Sequence, residues 1–177
     1  MTRCKVCKTE FVRRSMTHKA CSEGCALVLA QAVRLKLEKK RDAATRVRLK
    51  TRTQLARSAQ TDFNAWVRYR DSALPCVSCH RPASWGGQWH ASHLLSVGAR
   101  PDLRFDPANV HKACSICNAY LSGNVGPYRV ELIKRIGLAE VERLEGPAQG
   151  EKLTRDELIE LRARYAKLAR ELKGANQ

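Results

Sequence analysis

The sequence predicts a small α+β protein in which bound zinc ions stabilise the fold. Its eight cysteines fall into four close pairs, and its 177 residues include 33 Lys and Arg against 17 Asp and Glu. Long stretches free of Gly and Pro alternate with short stretches rich in Gly, Pro, His and Trp. These observations predict one or two small cysteine-rich domains that are joined and flanked by helices.

The cysteines are spaced like metal ligands. Three pairs leave two residues between the cysteines and one leaves three, which suits a turn that presents two thiolates to one tetrahedral ion. A disulfide framework is the alternative, but the first residues lack the apolar core of a secretion signal, so we expect a cytoplasmic chain with reduced thiols. The sequence therefore predicts two structural zinc sites, the first formed by Cys4, Cys7, Cys21 and Cys25 and the second by Cys76, Cys79, Cys114 and Cys117.

The formal net charge of +16 attracts the chain to polyanions. Nucleic acid is the polyanion that best matches dispersed arginines, and an anionic membrane surface is the rival. No run of about 18 apolar residues occurs, so we expect no segment that spans a bilayer.

Residues 26–70 predict a long basic helix that follows an amino-terminal cysteine module at 1–25. No Gly or Pro interrupts this stretch, and it holds twelve basic residues against three acidic ones. It is either a solvated linker or an arm that follows DNA phosphates, and its one-signed charge favours the arm. The DNA-binding candidates are Arg34, Lys39, Lys40, Arg41, Arg46, Arg48, Lys50 and Arg52.

The rest of the chain divides into a domain rich in Cys and His at 71–146 and a carboxy-terminal helix within 147–177. Helical patterns cover 128–136 and 138–144, and Thr154 with Glu157 forms the capping-box pattern that begins a helix. The apolar stripe of this last helix predicts either core packing or a seam between two copies of the chain. Its members are Leu158, Leu161, Tyr165, Leu168 and Leu172.

Four of the five histidines lie between Cys79 and Cys114, where a plain zinc ribbon does not need them. Phosphodiester hydrolysis needs a base for water, a divalent cation at the phosphate and a group that holds the base in one tautomer. Imidazole suits the first task near neutral pH, and oxygen or nitrogen side chains suit the second. The cluster therefore predicts a nuclease site inside the loop that the second zinc closes.

Five strings carry a resemblance to the HNH, or ββα-metal, nucleases: Trp89-His90-Ala91-Ser92-His93, Leu103-Arg104-Phe105, Asn109-Val110-His111, Cys114-Ser115-Ile116-Cys117-Asn118 and Ser122-Gly123-Asn124. More narrowly, the sequence resembles the NinG (Rap) recombination proteins of lambdoid phages. Residues 128–137, and the amino-terminal cysteines with the basic stretch after them, extend this resemblance over most of the chain.

The resemblance implies an HNH core flanked by helices and a divalent-metal-dependent endonuclease that cuts branched DNA, such as Holliday junctions and D-loops. His93 takes the place of the general base, and Asn109 that of the asparagine that braces its loop. Asn118 takes the place of a ligand to the catalytic Mg²⁺ or Mn²⁺. The second cysteine quartet matches a structural zinc site of related phage nucleases.

His90 departs from the family pattern, in which we expect an aspartate ligand. Imidazole suits Mn²⁺, Co²⁺, Ni²⁺ or Zn²⁺ better than Mg²⁺, and we expect His90 still to contact the metal. An altered metal preference, a weaker activity and a ligand from elsewhere stay open, and His111 is either a further ligand or a phosphate contact. The alternative function is a zinc protein that binds branched DNA or RNA without cutting it. A homodimer would multiply the basic surfaces offered to a branch point.

Overall fold

The chain folds as two units, Met1–Lys50 and Thr51–Gln177. The structure, a computed structural model, describes residues 1–148, 150 and 152–175. Helices and two small sheets make up these units, as the predicted mixture of helix and strand requires. Among the described residues, no helix combines the length and the apolar character needed to cross a membrane.

The first unit combines a two-stranded sheet with one long helix. Strand β1 (Thr2–Arg3) pairs antiparallel with β2 (Glu10–Phe11). Helix α1 (Glu23–Leu49) begins where the Ser22 hydroxyl accepts a hydrogen bond from the Cys25 N–H. None of its 27 residues is buried. Packing therefore contributes little to this helix, which depends on the high helix propensity of its residues.

The basic stretch at 26–70 is two helices rather than the single helix that we predicted. Helix α1 ends at Leu49, and α2 (Arg52–Arg70) starts after Lys50 and Thr51, both of which are extended. The Gln54 N–H donates to Thr51 Oγ1 at 3.3 Å, and the Thr51 N–H donates to Gln54 Oε1 at 2.8 Å. This capping box begins a new helix without Gly or Pro, so their absence did not guarantee one continuous helix.

Helix α2 buries one face in the second unit. Its buried residues are spaced four apart, which places them on one side of the helix: Leu55, Ala59, Phe63 and Val67. Two of its four arginines, Arg52 and Arg57, are exposed to solvent. The buried residues of this helix are therefore where it joins the core.

The last helix, α5 (Arg155–Ala175), begins at the predicted capping box. The Glu157 N–H donates to Thr154 Oγ1 at 3.3 Å, and the Thr154 N–H donates to the Glu157 carboxylate at 2.7 Å. Its apolar stripe packs on α2, where the rings of Tyr165 and Phe63 meet edge to face with centroids 4.7 Å apart. Core packing is thus the role of this stripe, which gives no support to a seam between two copies.

An antiparallel hairpin positions the histidines of the second unit. Strand β3 (Trp89–His93) pairs with β4 (Val110–Cys114), so that His93 lies opposite Val110. Alternate residues face opposite sides of such a hairpin. Ala91 and Val110 pack with the α2 and α5 cluster, whereas Ala113 packs with a second cluster.

That second cluster is built from the segments after the hairpin. A single π-helical turn (Ile116–Tyr120) follows β4 and precedes α3 (Val125–Ile136) and α4 (Leu138–Glu145), which meet at Gly137 as predicted. Tyr128 of α3 is fully buried, and its hydroxyl donates to the Ser92 carbonyl at 2.9 Å. This bond holds α3 against β3.

Candidate active site

Four cysteines of the second unit converge on one point. The Sγ atoms of Cys76, Cys79, Cys114 and Cys117 lie within 4.8 Å of one another, and those of Cys79 and Cys114 are 3.7 Å apart. A tetrahedral zinc ion with Zn–S bonds of about 2.3 Å places neighbouring sulfurs about 3.8 Å apart. The quartet therefore has the geometry to hold one structural zinc ion.

Backbone amides favour thiolates at this quartet. The Cys114 N–H donates to Cys76 Sγ at 3.3 Å, and the Cys117 N–H donates to Cys114 Sγ at 3.5 Å. Burial raises the pKa of Cys76, but backbone N–H groups outweigh burial and lower this pKa to about 7. Burial and then the Cys79 and Cys114 thiols raise the pKa of Cys117. A divalent cation removes this repulsion between neighbouring thiolates.

The cysteines of the first unit form a second quartet of the same kind. The Sγ atoms of Cys4, Cys7, Cys21 and Cys25 also lie within 4.8 Å of one another. The sulfur separations are 3.4 Å between Cys7 and Cys21 and 3.8 Å between Cys21 and Cys25. Of the hydrophobic residues in this unit, Cys4 and Ala20 are buried, so a metal ion would supply much of its folding free energy.

His90 and Asn118 meet between β3 and the π-helical turn. Asn118 directly follows the zinc-site residue Cys117, and its Nδ2 lies 3.0 Å from Nδ1 of His90. An amide N–H donates, so Nδ1 of His90 accepts and the ring proton is on Nε2. Adjacent ligands of an octahedral ion with bonds of about 2.1 Å are also about 3.0 Å apart. The pair could therefore hold a divalent cation once the Asn118 amide presents its oxygen.

His93 lies at the end of β3 with its ring directed to the backbone of Arg104. Its Nε2 is 3.0 Å from the Arg104 carbonyl oxygen. Because that oxygen can only accept, Nε2 carries the proton and Nδ1 keeps its lone pair. Burial lowers the pKa of His93 by more than the hydrogen bond to Arg104 raises it. The ring is thus neutral at neutral pH, which is the state that a general base needs.

The structure does not join His93 to the other two predicted site residues by a hydrogen bond. The described contact of its ring is with Arg104, whereas His90 contacts Asn118. The odd offset of three residues also directs His90 and His93 to opposite sides of a regular strand. The hairpin therefore brings together one pair, His90 with Asn118, and places His93 at the end of the strand, apart from them.

Asn109 is fully buried and closes the loop between β3 and β4. Its Oδ1 accepts from the Leu95 N–H at 2.9 Å, and its Nδ2 donates to the carbonyls of Leu95 at 3.0 Å and Leu103 at 3.1 Å. Leu103 precedes Arg104, whose carbonyl contacts His93. Asn109 thereby fixes the segment whose Arg104 carbonyl contacts the His93 ring.

His111 is buried rather than exposed to a substrate. Its side chain faces Tyr128, with Nδ1 3.3 Å from the Tyr128 hydroxyl. Burial, and then the positive charge of Arg70, lower the pKa of His111 to about 4. A phosphate contact needs an accessible or charged ring, so this location leaves His111 an interior packing role. The sequence predicted a ligand or phosphate role for His111, because the spacing of residues does not show which side chains are buried.

The predicted DNA-binding residues lie in both units. Six of them are on α1, which buries no residue, and Arg34 among them pairs with Glu38 at 3.0 Å. Arg52 begins α2 in the second unit, where its Nε donates to the Leu153 carbonyl at 2.7 Å. Basic charge is therefore present on each unit separately.

One contact near His93 was not predicted. The Arg104 side chain donates from Nε to Gln60 Oε1 of α2 at 2.8 Å, across 44 positions of the sequence. Gln60 in turn donates to Asn64 Oδ1 at 2.7 Å. The string Leu103-Arg104-Phe105 carries a likeness to a family, but nothing in its spacing indicates a partner on α2.

The sequence is similar to a family of bacteriophage proteins. A family model described as "Bacteriophage Lambda NinG protein" matches residues 1–175. Protein ninG of Salmonella phage P22 is 42% identical over 125 residues, which are 71% of this chain and 61% of that protein. Protein ninG of Escherichia phage lambda is 40% identical over 127 residues, which are 72% and 61% of the two chains.

The matched part of the chain thus spans about three fifths of the length of these relatives. No solved structure matches the chain. The family match covers nearly every residue, including both cysteine quartets and the hairpin between the second pair of cysteine turns. The chain therefore belongs to the NinG family of bacteriophage proteins.

Proposed function

We propose that this NinG-family chain is a divalent-metal-dependent endonuclease that hydrolyses phosphodiester bonds in branched DNA recombination intermediates, such as Holliday junctions and D-loops. The observation that carries the proposal is the 3.0 Å pair of His90 and Asn118, held between a hairpin and a helical turn that share the cysteine quartet. We interpret the hairpin, the turn and α3 as an HNH, or ββα-metal, core. The site of action is the cytoplasm of the infected host.

His93 is the general base in this proposal. The Arg104 carbonyl holds the proton on Nε2, so Nδ1 is the atom that removes a proton from the attacking water. The lowered pKa of His93 keeps Nδ1 unprotonated at neutral pH. Asn109 maintains this arrangement by hydrogen bonding both ends of the intervening loop.

His90 and Asn118 are the proposed ligands of Mg²⁺ or Mn²⁺. A bound divalent ion polarises the phosphate and stabilises the charge that develops on the leaving oxygen. An imidazole nitrogen and an amide oxygen suit Mn²⁺ better than Mg²⁺, because nitrogen is a softer ligand than a carboxylate oxygen. We therefore expect faster cleavage with Mn²⁺ than with Mg²⁺.

In this proposal the cysteine quartet holds the hairpin and the turn in position and takes no part in the reaction. Cys114 ends β4, and Cys117 precedes Asn118, so one zinc ion fixes the hairpin relative to the turn that carries the metal ligand.

Branched DNA suits the distribution of charge, because a branch point exposes phosphates of two or more duplexes. Both units carry basic residues, and the whole chain has a formal charge of +16.

The test compares a four-way junction, a D-loop and a linear duplex of the same sequence, with Mg²⁺ or Mn²⁺ and with zinc retained. We expect nicking of branched substrates, no nicking by His93→Ala, and a switch of preference toward Mg²⁺ in His90→Asp. Arg162→Gln serves as the matched control, because Arg162 lies on α5 and pairs with Asp62 at 3.0 Å. The proposal fails if no substrate is cut with either metal, or if His93→Ala cuts as fast as the parent.

A second candidate is a zinc protein that binds branched DNA or RNA without cutting it. The separation of His93 from the His90 and Asn118 pair favours this reading, as does the loss of a carboxylate at position 90. It predicts salt-sensitive binding with no cleavage under any metal. Titrations of junction and duplex binding at several salt concentrations, beside the cleavage test, therefore separate the two candidates.

A further inference from the structure

The Arg104 side chain is half-buried beside the proposed base. Its backbone carbonyl accepts from His93, its Nε donates to Gln60 at 2.8 Å, and its guanidinium lies 5.3 Å from the centre of the Phe105 ring. Three contacts therefore fix both ends of this residue. A guanidinium held in this way is preorganised for a ligand.

Arg104 differs from three other partly buried arginines of its unit in having no carboxylate partner in the part of the chain that the structure describes, a feature that it shares with Arg68 and Arg81. Arg70, Arg100 and Arg135 each pair with a carboxylate, at 2.6, 2.7 and 2.9 Å. Among the described residues, Arg104 has no carboxylate partner, and its two Nη atoms form no hydrogen bond. Neither Nη atom is sealed from solvent. An uncompensated charge in such a place points to an anionic ligand.

Two further arginines act on this group from α2. Burial, and then the positive charges of Arg57 and Arg52, lower the pKa of Arg104. Arg57 lies three residues before Gln60, so the two side chains share one side of the helix. Like charges that crowd together destabilise the free protein, and a bound anion relieves that repulsion.

We propose that Arg104 and Arg57, with Arg52 at the edge, bind a backbone phosphate of the DNA strand that is cut. This inference rests on the proposed function, because it takes His93 as the base. The planar fork of arginine suits a phosphate oxygen pair, and Gln60 holds Nε while both Nη atoms stay available to the phosphate. Since the Arg104 carbonyl also contacts His93, a phosphate bound by the Arg104 side chain has a fixed position relative to the base.

Binding of a fluorescent four-way junction, with zinc retained and no Mg²⁺ or Mn²⁺ added, tests this site without cleavage. We expect Arg104→Gln and Arg57→Gln each to weaken binding roughly tenfold, because each removes a charged hydrogen bond. Each should also reduce the slope of log K against log salt by about 0.9, the contribution of one phosphate contact. Arg104→Lys should keep the slope but bind more weakly than the parent, because it lacks the fork.

Arg162→Gln is the control, because its partner Asp62 already neutralises it and its loss should leave the slope unchanged. Equal slopes for the parent, Arg104→Gln and Arg57→Gln, with zinc content and circular dichroism intact, would overturn the site. An equal loss in Arg162→Gln would also overturn it, since the effect would then be general charge. If binding depends on Arg104 but no substrate is cut, the nuclease proposal fails and the phosphate site stands. If DNA is cut and neither Arg104→Gln nor Arg57→Gln changes the cleavage, the phosphate site fails and the nuclease proposal stands.

Discussion

Replacing Asn109 by Ala should distinguish the bracing role of Asn109 from the proposed metal-binding role of Asn118. Asn109 is fully buried and makes three side-chain hydrogen bonds, to Leu95 N–H, Leu95 C=O and Leu103 C=O. Each is worth about 1 kcal/mol net, so Asn109→Ala should lower the free energy of unfolding by about 3 kcal/mol. The matched variant Asn118→Ala loses one hydrogen bond at a half-buried site, and should cost about 1 kcal/mol or less.

Cleavage activity should fall in the opposite order, with a larger loss in Asn118→Ala than in Asn109→Ala. Asn118→Ala removes a proposed metal ligand, so cleavage should be lost while stability changes little. Asn109→Ala leaves the ligands in place but loosens the segment whose Arg104 carbonyl orients His93. A misplaced base costs about a hundredfold in rate, so residual cleavage should remain measurable at a temperature where the variant is folded.

Thermal unfolding followed by circular dichroism and single-turnover cleavage of a four-way junction provide the two measurements. The expected drop in Tm for Asn109→Ala is on the order of 10 °C for a unit of this size. Near-equal unfolding temperatures for parent and Asn109→Ala would refute the bracing role. A larger loss of stability in Asn118→Ala than in Asn109→Ala would show that the two asparagines have been given the wrong roles.

Three further outcomes follow from the structure. Cys76→Ser should reduce the zinc content from two ions to one per chain and abolish cleavage. Cys4→Ser should lose the other ion and keep the second unit folded. Atomic absorption and circular dichroism would measure both effects. The unfolded chain takes up a proton at His111 near pH 6.5, whereas the folded chain does so only near 4. Stability should therefore fall by about 3 kcal/mol as pH drops from 6.5 to 4, and urea titrations of His111→Asn should lack that loss. The rate of cleavage should rise with pH along a limb centred below 6.5, because burial lowers the pKa of His93; a midpoint above 7 would exclude His93 as the base.

Local rules account for what the sequence predicted well. Cysteine spacing reports a turn of two or three residues, and both quartets converge as the spacing required. The capping box at Thr154 and the break at Gly137 are likewise short-range signals, and the helices begin and end there. Helix α3 starts at Val125, three residues earlier than the pattern indicated, because Pro127 is tolerated in a first turn.

Long-range contacts could not be predicted in the same way. The break between α1 and α2 depends on a capping box at Thr51 and Gln54, which resembles ordinary helical sequence until the backbone is seen. The link from His93 through Arg104 to Gln60 spans 11 and then 44 positions. The interior position of His111 depends on the packing of Tyr128 from α3, and no single segment encodes it.

The adjacency of Cys117 and Asn118 governs how metal experiments on this chain must be interpreted. Loss of zinc from the second quartet releases the turn that carries Asn118, so a chelator should stop cleavage whichever ion serves the phosphate. Inhibition by a chelator therefore cannot identify a catalytic metal. Restoring zinc alone tests the fold, and adding Mg²⁺ or Mn²⁺ to the zinc-loaded chain tests the His90 and Asn118 pair. Because His90→Asp alters only the second step, a change in the Mn²⁺ to Mg²⁺ rate ratio at constant zinc content locates the catalytic ion at this pair.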